Sequence, residues 1–298
     1  SLVPLGANYN DSVAEYIHLR KTSFLKNQTA FLGGVLPECC KKGGRDTVTK
    51  VAFCDDDSAV LRELRLLLEQ YRADLRRAVN LGARYVVFHV SDVSLEEGYT
   101  YRWLHTNQEV IDAAVEVVNL ILGEERWPFE FLVENQWWPG FTFTEPEETA
   151  RLLEGIRFAG KGILLDTGHL MNACTELKTE AEGADYIRRM LNRHGSLAKW
   201  VRGVHLHQSL SGAYVKAHTG SLPAGLPEDY MERFGVSYQH ILQIDQHRPW
   251  TDPAILSVLE QIEPRYLTHE LSSRGRMARA EAVSVQTRLL QQGGRMRV

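Results

Sequence analysis

The chain has 298 residues, and its 34 Lys and Arg against 38 Asp and Glu give a formal net charge of −4. Hydrophobic residues make up 44% and charged residues 24%, which excludes a disordered or fibrous chain. The charge gives no basic excess of the kind that nucleic-acid or anionic-membrane binding requires, and no apolar run approaches the ~20 residues of a membrane span. We therefore expect a cytoplasmic protein without a membrane partner, and four cysteines are too few for a disulfide scaffold.

Apolar runs typical of buried strands recur along the whole chain. In chain order they are Leu2–Ala7, Ala30–Leu36, Thr47–Cys54, Arg84–Ser91, Phe129–Asn135, Gly162–Thr167, Val201–His207 and Arg265–Leu271. Amphipathic stretches with apolar residues at three- and four-residue steps separate them and predict helices. These stretches are Ser58–Leu81, Asn107–Leu122, Pro146–Ile156, Glu180–Trp200, Pro253–Ile262 and Glu281–Gln292.

Eight strand-then-helix units without a break in composition predict an α/β protein, a single (β/α)8 TIM barrel over residues 1–298. The alternative is an open doubly wound sheet, which usually carries a glycine-rich phosphate loop after its first strand. Gly6-Ala7-Asn8-Tyr9 stands there instead. A long insertion at about 209–246 is expected to carry a short helix or to serve as a lid or interface loop.

The later predicted strands end in metal-binding or acid–base side chains. These are His89, Glu134, Asp166 followed by His169, His205 with His207, and Glu270. In a barrel the carboxyl ends of the strands converge on one face, where the active site is built. A single such residue is more often a cap or rim hydrogen bond, but carboxylates gathered at one place require a cation. The imidazoles beside them favour a transition metal over magnesium.

Two short motifs lie between these strand ends. Asp245 and His247 are expected on one side of an extended segment, where they would offer two ligands. Asp166 and His169, three residues apart, both reach the pocket only if the chain turns after the strand, which Gly168 permits. Each motif is weak alone, and their order along the chain strengthens both.

The ordered set resembles the xylose isomerase-like TIM barrel superfamily over roughly Thr47–Gln292. The matching residues are His89, Glu134-Asn135, Asp166-x-x-His169, Val204-His205-Leu206, Asp245-x-His247-x-Pro249 and Glu270. This superfamily contains sugar-phosphate isomerases and epimerases, inosose dehydratases, ketohexose epimerases and endonuclease IV-type AP endonucleases. The resemblance implies one divalent ion, Mn, Zn or Co, held by Glu134, Asp166, His205 and Glu270. His207 faces the same way as His205 and is the alternative ligand.

The resemblance favours a sugar or sugar-phosphate isomerase or epimerase. Glu134 and Glu270 would move a proton through a metal-stabilised enediolate, and His169 would bond a substrate oxygen. Four tryptophans in loops on that face could line the substrate site or pack under the loops: Trp103, Trp137, Trp138 and Trp250. The partner would then be a small sugar or polyol, and the sequence leaves open whether the chain forms a homo-oligomer.

The competing interpretation is an endonuclease IV-like zinc phosphodiesterase. It would recruit additional metal ligands, namely His89, His169, Asp245 and His247. A histidine expected from the third strand has no match, since Cys54 or Asp55 stands there, and the acidic balance argues against DNA. A metal-binding barrel without catalysis is a third class, which the presence of both acid–base glutamates disfavours.

Overall fold

The computed structural model describes residues 59–273 and 275–292. Three predicted strands lie outside these residues, namely Leu2–Ala7, Ala30–Leu36 and Thr47–Cys54, as does the first residue of the predicted helix Ser58–Leu81. Contacts divide the described chain into two compact units. The first contains residues 59–86, 112–130 and 156–160, and the second contains the rest. That residues 1–298 form one domain stays a prediction.

Helices and strands alternate through the described chain. The helices are α1 (Ala59–Asn80), α2 (Leu95–Thr100), α3 (Asn107–Leu122), α4 (Pro146–Gly155), α5 (Thr167–Asn172), α6 (Glu180–His194), α7 (Gly212–His218), α8 (Tyr230–Ile244), α9 (Ala254–Ile262) and α10 (Arg276–Gln292). A 3₁₀ helix, Gly195–Trp200, follows α6. The strands are β1 (Tyr85–His89), β2 (Glu130–Glu134), β3 (Lys161–Asp166), β4 (Val201–Leu206) and β5 (Tyr266–His269).

The five strands form one sheet in the order of the sequence, β1-β2-β3-β4-β5, and β2 to β5 pair in parallel. Consecutive side chains of β2 and β3 have no exposed surface, among them Leu132, Val133, Leu164 and Leu165. Neighbours on a strand point to opposite faces, so both faces of the sheet are covered here, as in other parallel sheets. This explains why the strands read as continuous apolar runs rather than as alternating ones.

Local capping sets several helix boundaries. Helix α4 begins at Pro146, as predicted. Thr179 caps α6 in a capping box with Glu182. The predicted helix Glu180–Trp200 is interrupted at Gly195, where φ is +51° and the chain changes to the 3₁₀ helix. The boundary differs because glycine adopts this left-handed conformation without a steric penalty.

The predicted insertion at about 209–246 carries two helices, α7 and α8, where the sequence predicts a short helix or a lid or interface loop. Asp229 caps α8 by accepting a hydrogen bond from the backbone N–H of Glu232. Val215 of α7 and Ile244 of α8 are buried in one apolar cluster with Trp137. The insertion is therefore packed structure within the second unit.

In the first unit, α1 has the apolar spacing that the sequence indicates. Tyr71 and Leu75 are buried, but Val79 is 37% exposed and Ala78 is buried in its place. Arg72 ties α1 to the end of α3 by donating from Nη2 to the carbonyl of Leu120 at 2.7 Å. None of the described helices combines the length and the apolar character needed to cross a membrane.

Candidate metal centre

Four residues from the carboxyl ends of neighbouring strands meet in a group that we call the carboxylate cluster: Glu134, Asp166, His205 and Glu270. Glu134 and Asp166 end β2 and β3, His205 is the next-to-last residue of β4, and Glu270 directly follows β5. One potential ligand atom from each lies within 4.8 Å of the others. The parallel register brings this about, since it sets Asp166 directly beside His205.

The inner side of the carboxylate cluster is crowded with oxygen and nitrogen atoms. His205 Nδ1 lies 2.7 Å from Glu270 Oε2 and 3.4 Å from Glu134 Oε1. Both carboxylate oxygens of Glu134 are buried and accept no well-formed hydrogen bond. A buried carboxylate without hydrogen bonds is costly unless a cation compensates it.

A second group, which we call the histidine cluster, consists of His169, His207, Asp245 and His247. Its potential ligand atoms also lie within 4.8 Å of one another. His169 lies in α5, His207 directly follows β4, and Asp245 directly follows α8. The structure thus separates His205 from His207, although the sequence predicts that they face the same way, because β4 ends at Leu206 and His207 is no longer part of the strand.

The prediction of an extended segment at Asp245–His247 is wrong. Asp245 ends α8 with φ −90° and ψ 83°, and His247 has a left-handed φ of +48°. Gln208 and Arg248 exchange two backbone hydrogen bonds, of 2.8 and 3.1 Å, which fix this turn against the end of β4. The turn still brings His247 Nε2 within 2.5 Å of Asp245 Oδ2.

The role predicted for Gly168 also needs correction. The turn after β3 is made by Asp166, which caps α5 by accepting a hydrogen bond from the backbone N–H of His169 at 2.7 Å. Gly168 lies inside α5 and is not among the residues with a positive φ. A Cβ atom at this position would overlap the imidazole of His207. Glycine is needed here for space and not for backbone freedom.

Two imidazoles of the histidine cluster are oriented by backbone carbonyls. His169 Nδ1 donates to the carbonyl of Asn135 at 3.0 Å, and His247 Nδ1 donates to the carbonyl of Glu270 at 3.1 Å. The Nε2 atom of each ring then faces Asp245, at 3.4 Å from His169 and 2.5 Å from His247. Metal-binding histidines are commonly held by such a bond from the other ring nitrogen.

Electrostatics keeps the buried carboxylates ionised. Burial raises the pKa of the Glu134 carboxyl, but His89 and His205 outweigh this effect, and the pKa lies well below its usual range. Burial also raises the pKa of the Asp166 carboxyl. The charges of His169 and a second imidazole outweigh burial and lower the Asp166 pKa to about 2. Both groups are therefore anionic at neutral pH, which is the form that binds cations.

The imidazoles show the complementary shift. Burial lowers the pKa of His169, His205 and His247, but the adjacent carboxylates outweigh burial in all three. The pKa of His247 rises to about 9, and the pKa of the other two lies well above the usual value. Without a metal, the protons on these rings balance the charge of the carboxylates.

His89 lies beside the carboxylate cluster but is not among its four ligand candidates. Its Nε2 atom is 3.2 Å from Glu134 Oε2, and one third of its side chain is exposed. Its ring is also edge-on to that of His169, with centroids 6.2 Å apart. His89 is therefore the imidazole on the solvent side of Glu134.

The four predicted tryptophans occupy different positions. Trp137 packs against His169 with ring centroids 5.1 Å apart, and Trp138 packs against Trp137 at 4.2 Å. Trp103 is 38% exposed. Trp250 is fully buried, and its Nε1 donates to the carbonyl of His207 at 2.8 Å. The Trp250 indole therefore helps to fix the backbone of His207 in the histidine cluster.

Two supporting amides were not singled out by sequence reasoning as site residues. Asn135 accepts from the backbone N–H of Asp166 at 2.8 Å and donates to the carbonyl of Asp166 at 3.1 Å, which fixes β2 against the end of β3. Gln286 of α10 donates to the carbonyl of Leu206 and accepts from the backbone N–H of Trp250. Asn135 could have been found from the Glu134-Asn135 motif that matches the family. No sequence pattern indicated Gln286.

The donor atoms fit divalent metal ions. The carboxylate cluster offers three carboxylates and one imidazole, and the histidine cluster offers one carboxylate and three imidazoles. The limit of 4.8 Å on their spacings lies close to the maximum of about 4.6 Å for two ligands that are each roughly 2.3 Å from a shared ion. The buried, unbonded oxygens of Glu134 and Asp245 Oδ1 further support this fit.

Comparison with solved structures finds similar folds at low identity. A D-tagatose 3-epimerase-like protein has 17% identity and a TM-score of 0.46, and the match covers 80% of this chain and 73% of that chain. Endonuclease IV from Thermus thermophilus has 18% identity and a TM-score of 0.44, covering 79% and 71%. A probable 3-DHS dehydratase of petrobactin synthesis from Bacillus anthracis has 12% identity and a TM-score of 0.40, covering 98% and 94%. All three identities are below 20%, and all three TM-scores are below 0.5.

Comparison with curated proteins found no match. The family model described as xylose isomerase-like TIM barrel matches residues 46–284. This match spans most of the chain and agrees with the parallel sheet and its alternating helices. It confirms the predicted α/β barrel class, and the chain belongs to the xylose isomerase-like TIM barrel family.

Proposed function

We propose that the chain is a metal-dependent hydrolase that cleaves phosphoester bonds in a small-molecule substrate. The observation that carries this proposal is the histidine cluster beside the carboxylate cluster. Asp166 contacts both groups, since its Oδ2 lies 2.9 Å from His207 Nε2 and 3.9 Å from His205 Nδ1. Adjacent pairs of metal sites are typical of phosphatases and nucleases, where they stabilise the attacking and leaving oxygens.

The sequence alone favours a mononuclear sugar isomerase or epimerase, and the second cluster reverses the order of the two candidates. Bound divalent ions would supply Lewis acidity at the phosphate and a more acidic water. Glu270 would hold a metal ion together with the other members of its cluster, and its carboxylate could also accept a proton, because its side chain is 32% exposed while Glu134 is buried. His89, also about one third exposed, can donate a proton toward a leaving oxygen on the same side.

A small substrate fits better than DNA. The net charge is −4, and phosphate contacts along a duplex need clustered Lys and Arg. The carboxylate cluster itself repels a polyanion unless cations are bound. We therefore infer a phosphodiester or phosphomonoester of a small molecule, with one phosphate at the clusters.

The isomerase or epimerase remains the second candidate, and one observation favours it. Glu134 and Glu270 both belong to the carboxylate cluster, where their oxygens lie 3.4 and 2.7 Å from His205 Nδ1. Two carboxylates around one site can remove a proton from a sugar carbon and return it. The substrate would then be a ketose or hydroxy-ketone, free or phosphorylated.

The test compares both activities on the same metal-loaded protein. The purified chain is loaded with Zn, Mn or Co and assayed with bis(p-nitrophenyl) phosphate and with a panel of ketoses in D₂O. We expect phosphodiester cleavage, and we expect Asp245→Asn and His247→Gln to lower it by about 10–100-fold. Deuterium incorporation next to a ketose carbonyl, without diester cleavage, would support the epimerase instead.

His194→Gln is the matched control for these variants. His194 is also buried and hydrogen-bonded, to Thr149 Oγ1 at 2.9 Å, but it lies outside both clusters. Its replacement should leave diester cleavage near the wild-type rate. If Asp245→Asn behaves like this control, the histidine cluster has no part in the reaction and the hydrolase proposal fails.

A further inference from the structure

His207 is a member of the histidine cluster that also contacts the carboxylate cluster. It has no exposed surface, and its Nε2 lies 2.9 Å from Asp166 Oδ2. Its ring stacks on that of His247, with centroids 4.2 Å apart and an interplanar angle of 8°. Its side chain thus contacts Asp166 of the carboxylate cluster through a hydrogen bond and His247 of its own cluster through ring stacking.

The backbone of His207 is anchored from two sides. Thr167 Oγ1 donates to the carbonyl of His207 at 2.5 Å and accepts from its N–H at 3.2 Å. Trp250 Nε1 donates to the same carbonyl at 2.8 Å. Because Thr167 belongs to α5 and Trp250 follows the Asp245–His247 turn, this residue has little freedom to move.

The ring is confined as tightly as the backbone. On one face it meets His247, and its Cε1–Nδ1 edge lies against Gly168, where a Cβ atom would overlap it. Nδ1 is buried there and has no hydrogen-bond partner among the residues that the structure describes. The remaining nitrogen, Nε2, is the one that reaches Asp166.

We propose that His207 is a positioning residue that holds the two clusters in one relative geometry. Its Nε2–H fixes the Asp166 carboxylate, and its ring face fixes the orientation of His247. This inference rests on the proposed function, because it takes both clusters to bind metal. Hydrogen-bonded partners of metal ligands commonly change metal affinity by 10–100-fold when they are removed.

The geometry distinguishes this role from direct metal binding, which the sequence left open. The rings of His207 and His247 lie in nearly parallel planes with centroids 4.2 Å apart, so an ion in the plane of one ring lies outside the plane of the other. The Nδ1 edge of His207 is turned to Gly168, and its Nε2 is engaged by Asp166. Of the four members of the histidine cluster, we therefore assign metal binding to His169, Asp245 and His247 and the positioning role to His207.

Two substitutions separate the two interactions of His207. His207→Phe keeps an aromatic face for His247 but removes the N–H that Asp166 accepts. His207→Gln loses the aromatic face but is long enough to place an amide N–H near the former Nε2. Full-length wild-type and variant proteins are titrated with Co²⁺, and binding is followed by visible absorption and by metal content per chain.

We expect the wild type to bind two ions per chain. His207→Phe should still bind two, with affinity at the carboxylate cluster lowered by about 10–100-fold, and His207→Gln should recover most of that loss. Thermal unfolding of each metal-free variant shows whether it is folded. His194→Phe is the control, because His194 also stacks on an aromatic ring, Phe143 at 3.9 Å, but contacts neither cluster.

Several outcomes would overturn the proposal. Loss of one bound ion in both His207 variants, with loss of its cobalt absorption, would make His207 a ligand. Unchanged affinities in His207→Phe would leave it without a positioning role. A wild type that binds no ion would overturn this inference and the hydrolase together. A wild type that binds two ions but cleaves no phosphoester would end only the hydrolase proposal, while the affinities still test His207.

Discussion

Both clusters take residues from the carboxyl ends of β3 and β4 or from the segments that directly follow them. They differ in ligand composition and in exposure to solvent. The carboxylate cluster has three carboxylates and one imidazole, and the histidine cluster has the reverse. In the first, the Glu270 side chain is 32% exposed, whereas no side chain of the second exceeds 17%. Oxygen-rich sites suit Mn²⁺, and imidazole-rich sites suit Zn²⁺ or Cu²⁺. If both clusters bind metal as proposed, this difference predicts different metal preferences, with the carboxylate cluster as the more open of the two.

The division depends on where each strand ends. Asp166, the last residue of β3, belongs to the carboxylate cluster. His169, about one helical turn later in α5, belongs to the histidine cluster. β4 contributes His205 to the first cluster and, past its last residue, His207 to the second. A shift of either strand end by one residue would move a ligand from one cluster to the other or out of both.

The largest expected effect comes from Asp166, the residue that contacts both clusters. Asp166→Asn keeps the size and the helix-capping oxygen, since Asn caps helices about as well as Asp. It removes the negative charge that pairs with the buried imidazoles. We expect both ions to bind more weakly and turnover to fall toward the upper end of about 10²–10⁴-fold. Metal content, turnover and circular dichroism are measured on the same sample.

The contrasting variant is Asp245→Asn, which touches only the histidine cluster. It should weaken one ion and leave the other at wild-type affinity. If Asp166→Asn also affects only one ion, the two clusters are independent and Asp166 does not link them.

The second prediction concerns proton release on metal binding. The pKa of His247 is raised to about 9 and those of His169 and His205 also lie above the usual value, so these rings are protonated at pH 7 when no metal is bound. Metal binding must expel those protons. Affinity should therefore fall as the pH is lowered below 9, by about tenfold per pH unit for each proton released.

Calorimetry in two buffers of different ionisation enthalpy measures that number of protons at pH 7. Release of more than one proton per ion at the histidine cluster is expected, since two of these rings belong to it. Identical binding heats in the two buffers would show that the rings are already neutral, which would contradict the charge balance described for the metal-free clusters.

The third prediction uses two glycines to separate spatial need from helix propensity. Gly168→Ala places a methyl group against the His207 ring and should lower the free energy of unfolding by about 1–3 kcal/mol. Gly235 lies in α8, where an added Cβ atom would have no neighbour within 4 Å, and Gly235→Ala should raise it by about 0.5–1 kcal/mol. Urea denaturation of both variants gives the comparison. A neutral or stabilising Gly168→Ala would mean that the ring yields, and the confinement of His207 would be weaker than its contacts indicate.

The smallest expected effect concerns a buried histidine outside both clusters. Burial lowers the pKa of His194, opposite to the shift of the cluster imidazoles. The unfolded chain then binds this proton at higher pH than the folded protein does. The stability that His194 contributes is present above its unfolded pKa of about 6.5 and is lost as the pH falls below it.

His194→Gln should therefore flatten the decline of stability between pH 7 and pH 5. Thermal unfolding of the metal-free wild type and variant over this range is the measurement. An unchanged slope would show that other groups, such as the cluster imidazoles, dominate the pH dependence in this window.

Sequence reasoning grouped Glu134, Asp166, His205 and Glu270 at one ion but did not place His207 in a second group with the remaining candidates. Glu134, Asp166, His205 and Glu270 could be anticipated because each stands at the end of an apolar run, and parallel strands end on the same face. His169, Asp245 and His247 were identified through short motifs. The extended conformation predicted for Asp245–His247 was wrong, since the left-handed turn at His247 depends on the Gln208–Arg248 bridge.

The sequence by itself determined the alternation of strands and helices and the identity of the side chains at the strand ends. Both follow from local patterns, the continuous apolar runs and the polar residues that close them. Only the tertiary structure decided that His205 and His207 belong to different clusters and that Gly168 must lack a side chain. Those outcomes depend on contacts with α5, α8 and α10, such as Gln286 with Trp250. Residues so far apart in the chain leave no periodic signal, because their positions are fixed by packing and not by spacing.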